Sequence, residues 1–450
     1  MRPTLRALTT AVTTAVAVTT ALALAPPAAA GPPTPGAGAH VEVEIPGPEH
    51  GTEAGSGRAR VPAGGTGRAQ GRLSEAERST DGEVTPLVSN GSPADRLDVV
   101  VVGDGYTAAE QEKFHADARQ KWDEITAVEP YTTYRNLFNV WAVDAVSRDS
   151  GVSGDPGQDV VRDTALGSSF WCDGIERLLC VDQPRTDAYV ARAPEADLVL
   201  VLANSTKYGG AGYNEPSPTL GYEGISTASS GHPKSGQIAV HETGHSLGKL
   251  ADEYFYADYP GYERYTGPEP GESNISVLTA DAMAERRAKW HRWLGEASPD
   301  GGTVGTYEGG GYYVKGLFRP TDNSMMRSLG KPFNLPGVEA MIAGFHRHAR
   351  TATALTPTDR VLRPGGTARV AVPRLAGADG RQLTVRWFLD GRELPWFAGR
   401  DRVRISELTV WLVDHREHRL TVRVSDGTTA VRDPEIARSL TSSADWRVRL

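Results

Sequence analysis

Alternating apolar and polar runs in the first part of the chain predict strands joined by helices. The apolar run 97–102 predicts a buried strand, and residues 103–105 predict the turn after it. Thr107 stands three residues before Glu110, the spacing of a capping box, so a helix is expected to begin there and continue towards Val128. Further strands are predicted at residues 137–143 and 197–203. This alternation predicts an α/β domain.

The hydrophobic pattern changes near Thr351, after a predicted helix with the sequence GVEAMIAGFHRHAR. From there, short stretches alternate apolar and polar residues with period two: TARVAV, LTVRWFLDG, RVRIS, LTVWLVD and HRLTVRVSDG. Such a pattern is typical of a small antiparallel β-domain. We predict an immunoglobulin-like β-sandwich over residues 352–450, following an α/β domain at residues 87–351. Two folded units also fit the length of the chain.

The first 86 residues offer little that can form a core. Residues 1–30 contain two arginines, an apolar stretch and three alanines before Gly31, which predicts a secretory signal peptide cut after Ala30. A membrane anchor is the alternative, but the apolar stretch is short, interrupted by threonines and followed by two prolines. Residues 31–86 are rich in glycine, alanine, proline and charge, which predicts a disordered linker or pro-segment. They contain no cysteine that could block a metal, which favours a passive tether.

The charge of the chain excludes some partners. The formal net charge is -8, and it becomes -10 without residues 1–30, which contain two arginines and no acidic residue. An acidic protein is a poor candidate for binding nucleic acid or an anionic membrane. We expect a secreted, extracellular protein that acts as a monomer.

Cys172 and Cys180 are the only cysteines. Because an exported chain meets an oxidising environment, we predict one local disulfide, with two buried free thiols as the alternative. No cysteine then remains for a metal, so a zinc ion would have to be held by histidine and carboxylate.

The segment HETGHSLGKLADEY, residues 241–254, carries the candidate chemistry. On a helix, His241 and His245 lie one turn apart on the same face, so both imidazoles can bind a single Zn²⁺. Glu242 can then act as general base on a metal-activated water that attacks a carbonyl. The alternative is a surface helix with two unrelated histidines, but the apolar residues 238–240 are typical of a helix packed inside a domain.

A third ligand is expected shortly after Gly248, where the helix can end with a left-handed residue. The metzincin pattern has a histidine at position 251, whereas this chain has Ala251. A site of two histidines and one carboxylate is chemically ordinary, so we predict Asp252 as the third ligand and Glu253 as the second choice. Both acids could instead only cap the helix or face solvent. Glu308 is a more remote candidate.

Met325 and Met326 lie in the turn-rich segment FRPTDNSMMRSLG. A methionine-bearing turn beneath the metal-bound histidines is the second hallmark of metzincin-like sites. A methionine in a loop is otherwise a filler of core gaps. After the HETGH segment, we favour the methionine turn.

The chain resembles the bacterial IgA metalloendopeptidase family, secreted zinc peptidases typified by enzymes that cut immunoglobulin A. The resemblance rests on HETGHSLGKLADEY, DVVVVGDGYTAAEQEKF, YRNLFNVWAVDAVSRDSG, ANSTKYGGAGY and YEGGGYYVKGLFRPTDNSMMR, in the family's order between residues 95 and 350. It implies a zincin-like α/β catalytic domain, with His241 and His245 as zinc ligands and Glu242 as the catalytic base. It also implies an acidic third ligand from LADEY and the methionine turn at SMMR. It does not imply IgA as the substrate.

Two features near the predicted site keep alternative interpretations. The segment ANSTKYGGAGY could pair with an extended peptide at a sheet edge, or it could be a glycine-rich surface loop. Tyr208, Tyr254 and Tyr313 could each donate to an oxyanion, or could be core residues with their hydroxyls at the edge.

We therefore predict a secreted zinc endopeptidase that hydrolyses peptide bonds in proteins. One alternative is an extracellular binding or adhesion protein, in which the β-sandwich recognises a partner and the zinc is structural. A structural zinc normally has four protein ligands, whereas this segment offers three. Another alternative is a zinc hydrolase that acts on a non-peptide amide or ester.

Overall fold

The computed structural model describes residues 39–47, 57–67, 71, 73–257, 260–408 and 416–449. The predicted signal peptide and all but the first residue of the predicted strand LTVWLVD lie outside these ranges. The described residues belong to one compact unit.

The strands and helices are numbered in chain order. The strands are β1 His40–Glu44, β2 Arg58–Pro62, β3 Val84–Val88, β4 Leu97–Asp104, β5 Phe138–Val143, β6 Leu198–Ala203, β7 Gly210–Tyr213, β8 Ile225–Ser229, β9 Tyr307–Gly310, β10 Tyr313–Arg319, β11 Thr353–Ala354, β12 Thr367–Ala371, β13 Thr384–Leu389, β14 Arg392–Glu393, β15 Arg402–Arg404, β16 Glu417–Ser425 and β17 Thr441–Arg449. The helices are α1 Glu75–Arg78, α2 Gln111–Thr126, α3 Tyr131–Tyr134, α4 Gln183–Val190, α5 Ser235–Ser246, α6 Ala280–Arg286, α7 Leu335–His348 and α8 Pro434–Ser439.

A mixed sheet of eight strands forms the centre of the α/β part. Its strand order is β2-β1-β7-β8-β6-β4-β5-β3. The strands predicted from apolar runs are confirmed as β4, β5 and β6, which are parallel to one another and to β8. β7 runs antiparallel to β8, and β1 runs antiparallel to β7. The edge of the sheet near β7 is thus antiparallel, which matters for the site described below.

β4 is buried on both faces because helices and loops cover the sheet on either side. Val99 and Val101 belong to a core that α2, α5 and α7 complete, and Val100 and Val102 belong to a second core on the other face. The predicted capping box also forms: Thr107 N and Oγ1 donate to Glu110 at 2.9 and 2.8 Å, ahead of α2.

The prediction of disorder for residues 31–86 is wrong for the described residues of that segment. β1 and β2 pair with each other and extend the sheet beyond β7, and β3 pairs with β5 at the other end. The period-two pattern is present in HVEVE and RARVP, where Val43 and Val61 are buried. Each run is only five residues long and is surrounded by glycine and proline, so composition concealed it. The pro-segment alternative stays a prediction.

The C-terminal part contains two antiparallel sheets, of three and four strands. Their strands are β11-β12-β15 and β14-β13-β16-β17, and a common core includes the stacked rings of Trp387 and Trp446, 5.7 Å apart. The domain boundary near residue 351 and the immunoglobulin-like assignment stay predictions.

This C-terminal part packs on the α/β part. Leu375, Val431 and Leu440 join the core around α2, and the Tyr134 hydroxyl donates to Asp426 at 2.5 Å.

The predicted disulfide between Cys172 and Cys180 is formed. Among the described residues, no helix is both long enough and apolar enough to cross a bilayer.

Candidate metal centre

The helix α5 places His241, Glu242 and His245 inside the protein. It passes under the sheet next to β7 and β8, and nearly all of its residues are buried. The left-handed residue that turns the chain after this helix is Lys249, with φ 50°, and not the predicted Gly248. Gly248 has a different role, because a Cβ there would meet Gly244 O at 2.6 Å and Met341 Sδ at 2.8 Å. The chain can therefore turn back tightly towards the histidines.

Three candidate ligand atoms from His241, His245 and Asp252 lie together in this buried space. The two Nε2 atoms are 3.3 Å apart. Oδ1 of Asp252 lies 3.1 Å from Nε2 of His241 and 3.4 Å from Nε2 of His245. Ligands at about 2.0–2.1 Å from a tetrahedral zinc ion are separated by about 3.3 Å. The triangle therefore has the size of one face of a zinc coordination tetrahedron.

The histidine rings are oriented by backbone carbonyls. Nδ1 of His241 donates to Met325 O at 3.0 Å, and Nδ1 of His245 donates to Leu250 O at 2.6 Å. With the proton on Nδ1, the lone pair of each neutral ring is on Nε2, which faces the shared point. Oδ1 of Asp252 faces the same point and has no hydrogen bond of normal geometry from a described residue. These three atoms are suited to hold a metal ion.

The two methionines of SMMR lie directly beneath the histidine helix. Met325 and Met326 are both buried, and Met325 supplies the carbonyl that orients His241. Met326 packs against Gly244, where a Cβ would come 2.6 Å from its sulfur. The turn therefore supports the helix at Gly244, which has no side chain and lies between Glu242 and His245.

The structure turns the two other candidate acids away from the cluster. Glu253 accepts from Asn274 Nδ2 at 2.9 Å, from Asn334 Nδ2 at 2.9 Å and from Ser324 Oγ at 2.7 Å. These hydrogen bonds connect the segments in which the three donors lie. Glu308 is exposed and accepts from a backbone amide at 3.2 Å. Glu253 was the second choice of third ligand and Glu308 the more remote one, and neither carboxylate belongs to the group that His241, His245 and Asp252 form.

Glu242 lies beside the cluster with its carboxylate buried. Neither oxygen has a hydrogen-bond partner among the described residues. β7 approaches it closely, because a Cβ on Gly212 would come 2.0 Å from Oε2. A buried carboxylate without hydrogen-bond donors is energetically unfavourable unless it has a functional role or another binding partner.

The ionisable groups of the cluster perturb one another strongly. Burial raises the pKa of Glu242 to about 8. Burial opposes the charged form of His245, but the Asp252 carboxylate outweighs it and raises the pKa to about 9. Burial likewise opposes ionisation of Asp252, yet the neighbouring His245 holds its pKa well below the usual range. A divalent cation would replace the imidazole protons as the partner of Asp252.

Tyr312 completes the surroundings of Asp252, and sequence reasoning missed it. Its hydroxyl lies 2.6 Å from Oδ2 of Asp252 and 2.6 Å from Oε2 of Glu44. Its backbone has φ 74°, a conformation that bulky residues rarely adopt. The run of glycines before it was the available signal, because it marks a backbone with unusual dihedral angles.

The three tyrosines considered from sequence have other positions. Tyr208 donates to Gly47 O at 2.5 Å, and the ring of Tyr254 packs against that of Tyr312, 5.6 Å apart. Tyr313 is partly buried, and its ring packs against those of other tyrosines. The segment ANSTKYGGAGY runs from the end of β6 through β7, so its second half is strand rather than surface loop.

A known protein family matches the α/β part of the chain. Residues 85–300 and 296–345 match the model of the family described as IgA peptidase M64. The chain belongs to this family. The match covers more than half of the chain and includes both the HETGH helix and the methionine turn. No curated protein matches the chain. As a member of the M64 family, the protein is a peptidase, a hydrolase that acts on proteins or peptides.

Proposed function

We propose that this M64 peptidase is a secreted, zinc-dependent endopeptidase with a zincin-like catalytic domain. The triangle of His241, His245 and Asp252 is the observation that carries the proposal. A structural zinc is normally closed by four protein ligands, whereas a catalytic zinc has three and leaves a position for water or substrate. The cluster contains three ligands among the residues that the structure describes, which supports a catalytic site over an adhesion protein with a structural zinc.

In this proposal the side chains divide the work. His241, His245 and Asp252 hold the metal, and Met325 O and Leu250 O keep the two rings in place. Bound there, Zn²⁺ would bring the pKa of a water to about 7 and polarise the scissile carbonyl. Glu242 takes the proton of the attacking water and passes it to the leaving amine. Its oxygens are suited to this, because no described donor occupies them.

Secretion and the monomeric state belong to the proposal as well. The first 30 residues have the charge and apolar pattern of a signal peptide, and the resemblance to secreted bacterial enzymes points the same way. The N-terminus of the protein recovered from a bacterial culture medium, measured by mass spectrometry, should begin after Ala30.

The experiment that tests the catalytic proposal compares Glu242→Gln with Glu308→Gln. Glu242→Gln keeps the shape of the side chain but removes the base, so peptide cleavage should fall about 10²–10⁴-fold. One zinc ion per chain should remain, because Glu242 is not a ligand in this proposal. Glu308→Gln, on an exposed acid outside the cluster, should keep both activity and zinc. Wild-type activity in Glu242→Gln would end the proposal.

A further inference from the structure

The chain itself occupies the sheet edge next to the candidate catalytic residues. β1 pairs with β7 in antiparallel orientation, and Glu44 stands opposite Gly212. Gly212 is the residue that lies directly against the Glu242 carboxylate. An extended peptide that pairs with a sheet edge uses the backbone hydrogen-bonding groups of the edge strand. At Gly212, β1 already stands in that position.

One side chain of β1 is directed into the site. The Glu44 carboxylate is 7% exposed and lies 2.6 Å from the Tyr312 hydroxyl, which in turn lies 2.6 Å from Asp252. Glu42 stands two residues earlier, on the same face of the strand, but its side chain is 52% exposed. Both acids bind Arg58, at 3.1 and 2.7 Å. Only Glu44 also reaches the surroundings of the metal ligands.

The fit between β1, β2 and the rest of the protein is close. A Cβ on Gly57, just before β2, would overlap the Tyr312 ring at 2.1 Å. Backbone carbonyls at the end of β1 are also bound, because Pro46 O accepts from Arg177 Nε at 2.8 Å and Gly47 O from the Tyr208 hydroxyl at 2.5 Å. On the other face, Val61 is 1% exposed within the second core. Such packing is characteristic of a segment that has one defined position on the rest of the protein.

We propose that the β1–β2 strand pair, residues 40–44 and 58–62, is a self-inhibitory element that occupies the place of an extended peptide substrate on β7. This inference rests on the proposed peptidase function of the site. Substrate can reach Glu242 along β7 only after the pair has left it. Peptide cleavage is therefore limited by the fraction of molecules in which the pair is displaced or has been removed by proteolysis. The N-terminal segment is in this account a pro-segment and not a passive tether.

The test compares two aspartate substitutions on neighbouring residues of β2 in the full secreted chain. Val61→Asp places a charge in the core beneath the pair and should displace it, because an unpaired buried carboxylate is strongly unfavourable. Arg60→Asp introduces the same side chain at an exposed position and should leave the pair in place. Peptide cleavage by Val61→Asp should rise about tenfold or more over wild type, as expected when the competent fraction increases. Arg60→Asp should cleave at the wild-type rate.

Hydrogen exchange supplies a readout that does not depend on catalysis. In wild type, a saturating non-cleavable extended peptide should speed amide exchange in residues 40–45, because it competes for β7. In Val61→Asp these amides should exchange fast without any peptide, while α2 and α5 stay protected, which shows that the fold is intact. Slow exchange of residues 40–45 with peptide bound to the site would overturn the inference. So would a displaced pair with no gain in cleavage by a zinc-loaded protein.

The outcomes separate this inference from the proposed function. If the proteins bind zinc and lose cleavage with a chelator, but Val61→Asp gains nothing, only the self-inhibition fails. If no zinc is bound and no peptide is cleaved, the peptidase mechanism fails. The peptide-induced change in hydrogen exchange then still decides whether β1 and a peptide compete for the same position on β7.

Discussion

The hydroxyl of Tyr312 lies 2.6 Å from Oδ2 of Asp252, while Oδ1 of the same carboxylate faces the two histidines. One oxygen is therefore fixed by a hydrogen bond, and the other is left for the candidate metal. Tyr312 reaches this position with a backbone φ of 74°, a strained conformation that costs about 1–3 kcal/mol. Its ring is held by neighbouring aromatic rings, including a parallel stack on Tyr256 at 6.1 Å. Strain at a residue of this kind is typical of functional sites.

Removal of this hydroxyl should weaken metal binding. In Tyr312→Phe the Asp252 carboxylate loses the group that orients it, so zinc affinity should fall about 10–100-fold, as for other partners of metal ligands. A titration against a competing chelator measures this. Tyr313→Phe is the matched control, because that ring packs against Tyr262 and Tyr265 and not against Asp252. Equal zinc affinities in the two variants would contradict the role given to Tyr312.

Substitution of Asp252 should change zinc binding, whereas substitution of the neighbouring Glu253 should change the free energy of unfolding. Asp252→Asn should abolish tight zinc binding, because a carboxamide is a poor substitute for a carboxylate ligand. Glu253→Gln should keep zinc but lower the free energy of unfolding by about 1–3 kcal/mol, since Glu253 is a buried acceptor for Asn274, Asn334 and Ser324. Metal analysis and urea unfolding of both variants check this. The opposite pattern would mean that Glu253 is the ligand.

Truncation of the methionine beneath the helix should affect both stability and the site. Met326→Ala leaves a cavity against Gly244 and should lower the free energy of unfolding by about 2–5 kcal/mol. Because the helix then loses its support, zinc should also bind more weakly. Met283→Ala removes an equally buried methionine from a separate core, around Trp290, and should destabilise the protein without changing zinc affinity. Indistinguishable zinc affinities would reduce Met326 to a packing role.

His348 should make stability depend on pH. Burial opposes its charged form, but Asp197 and Glu223, at 2.8 and 2.9 Å, outweigh it and raise its pKa from 6.5 to about 9. A group with a raised pKa in the folded state contributes stability fully below pH 6.5 and loses it as the pH rises to 9. Because solvent screens the pair in part, we expect a loss of about 1–2 kcal/mol over this window. Urea unfolding of wild type and His348→Gln across pH 6–9 measures it, and equal pH dependence in both would refute the assignment.

Much of the central sheet and of the candidate metal cluster follows from local sequence. β4, β5 and β6 are largely apolar runs, and the capping box at Thr107 requires only four residues. His241 and His245 are one helical turn apart, and Asp252 follows the tight turn after α5. In each case, spacing along the chain decides spacing in the fold.

What sequence could not give depends on contacts between distant segments. Glu44 and Tyr312 are separated by 268 residues, yet their side chains meet. No period or motif around Glu44 indicates this, and the glycine-rich composition near β1 and β2 favoured disorder instead. The position of Tyr312, and not Tyr313, in the site depends on a backbone conformation that residue types alone do not specify.

The candidate zinc site can be tested by titrating zinc into the chelator-treated protein. Titration of wild type should reveal one tight zinc ion per chain, and His245→Ala should lose that site because one corner of the ligand triangle is gone. His348→Ala, on a histidine outside the cluster, should bind zinc as wild type does. Absence of zinc binding in wild type, or tight binding that survives in His245→Ala, would contradict the account.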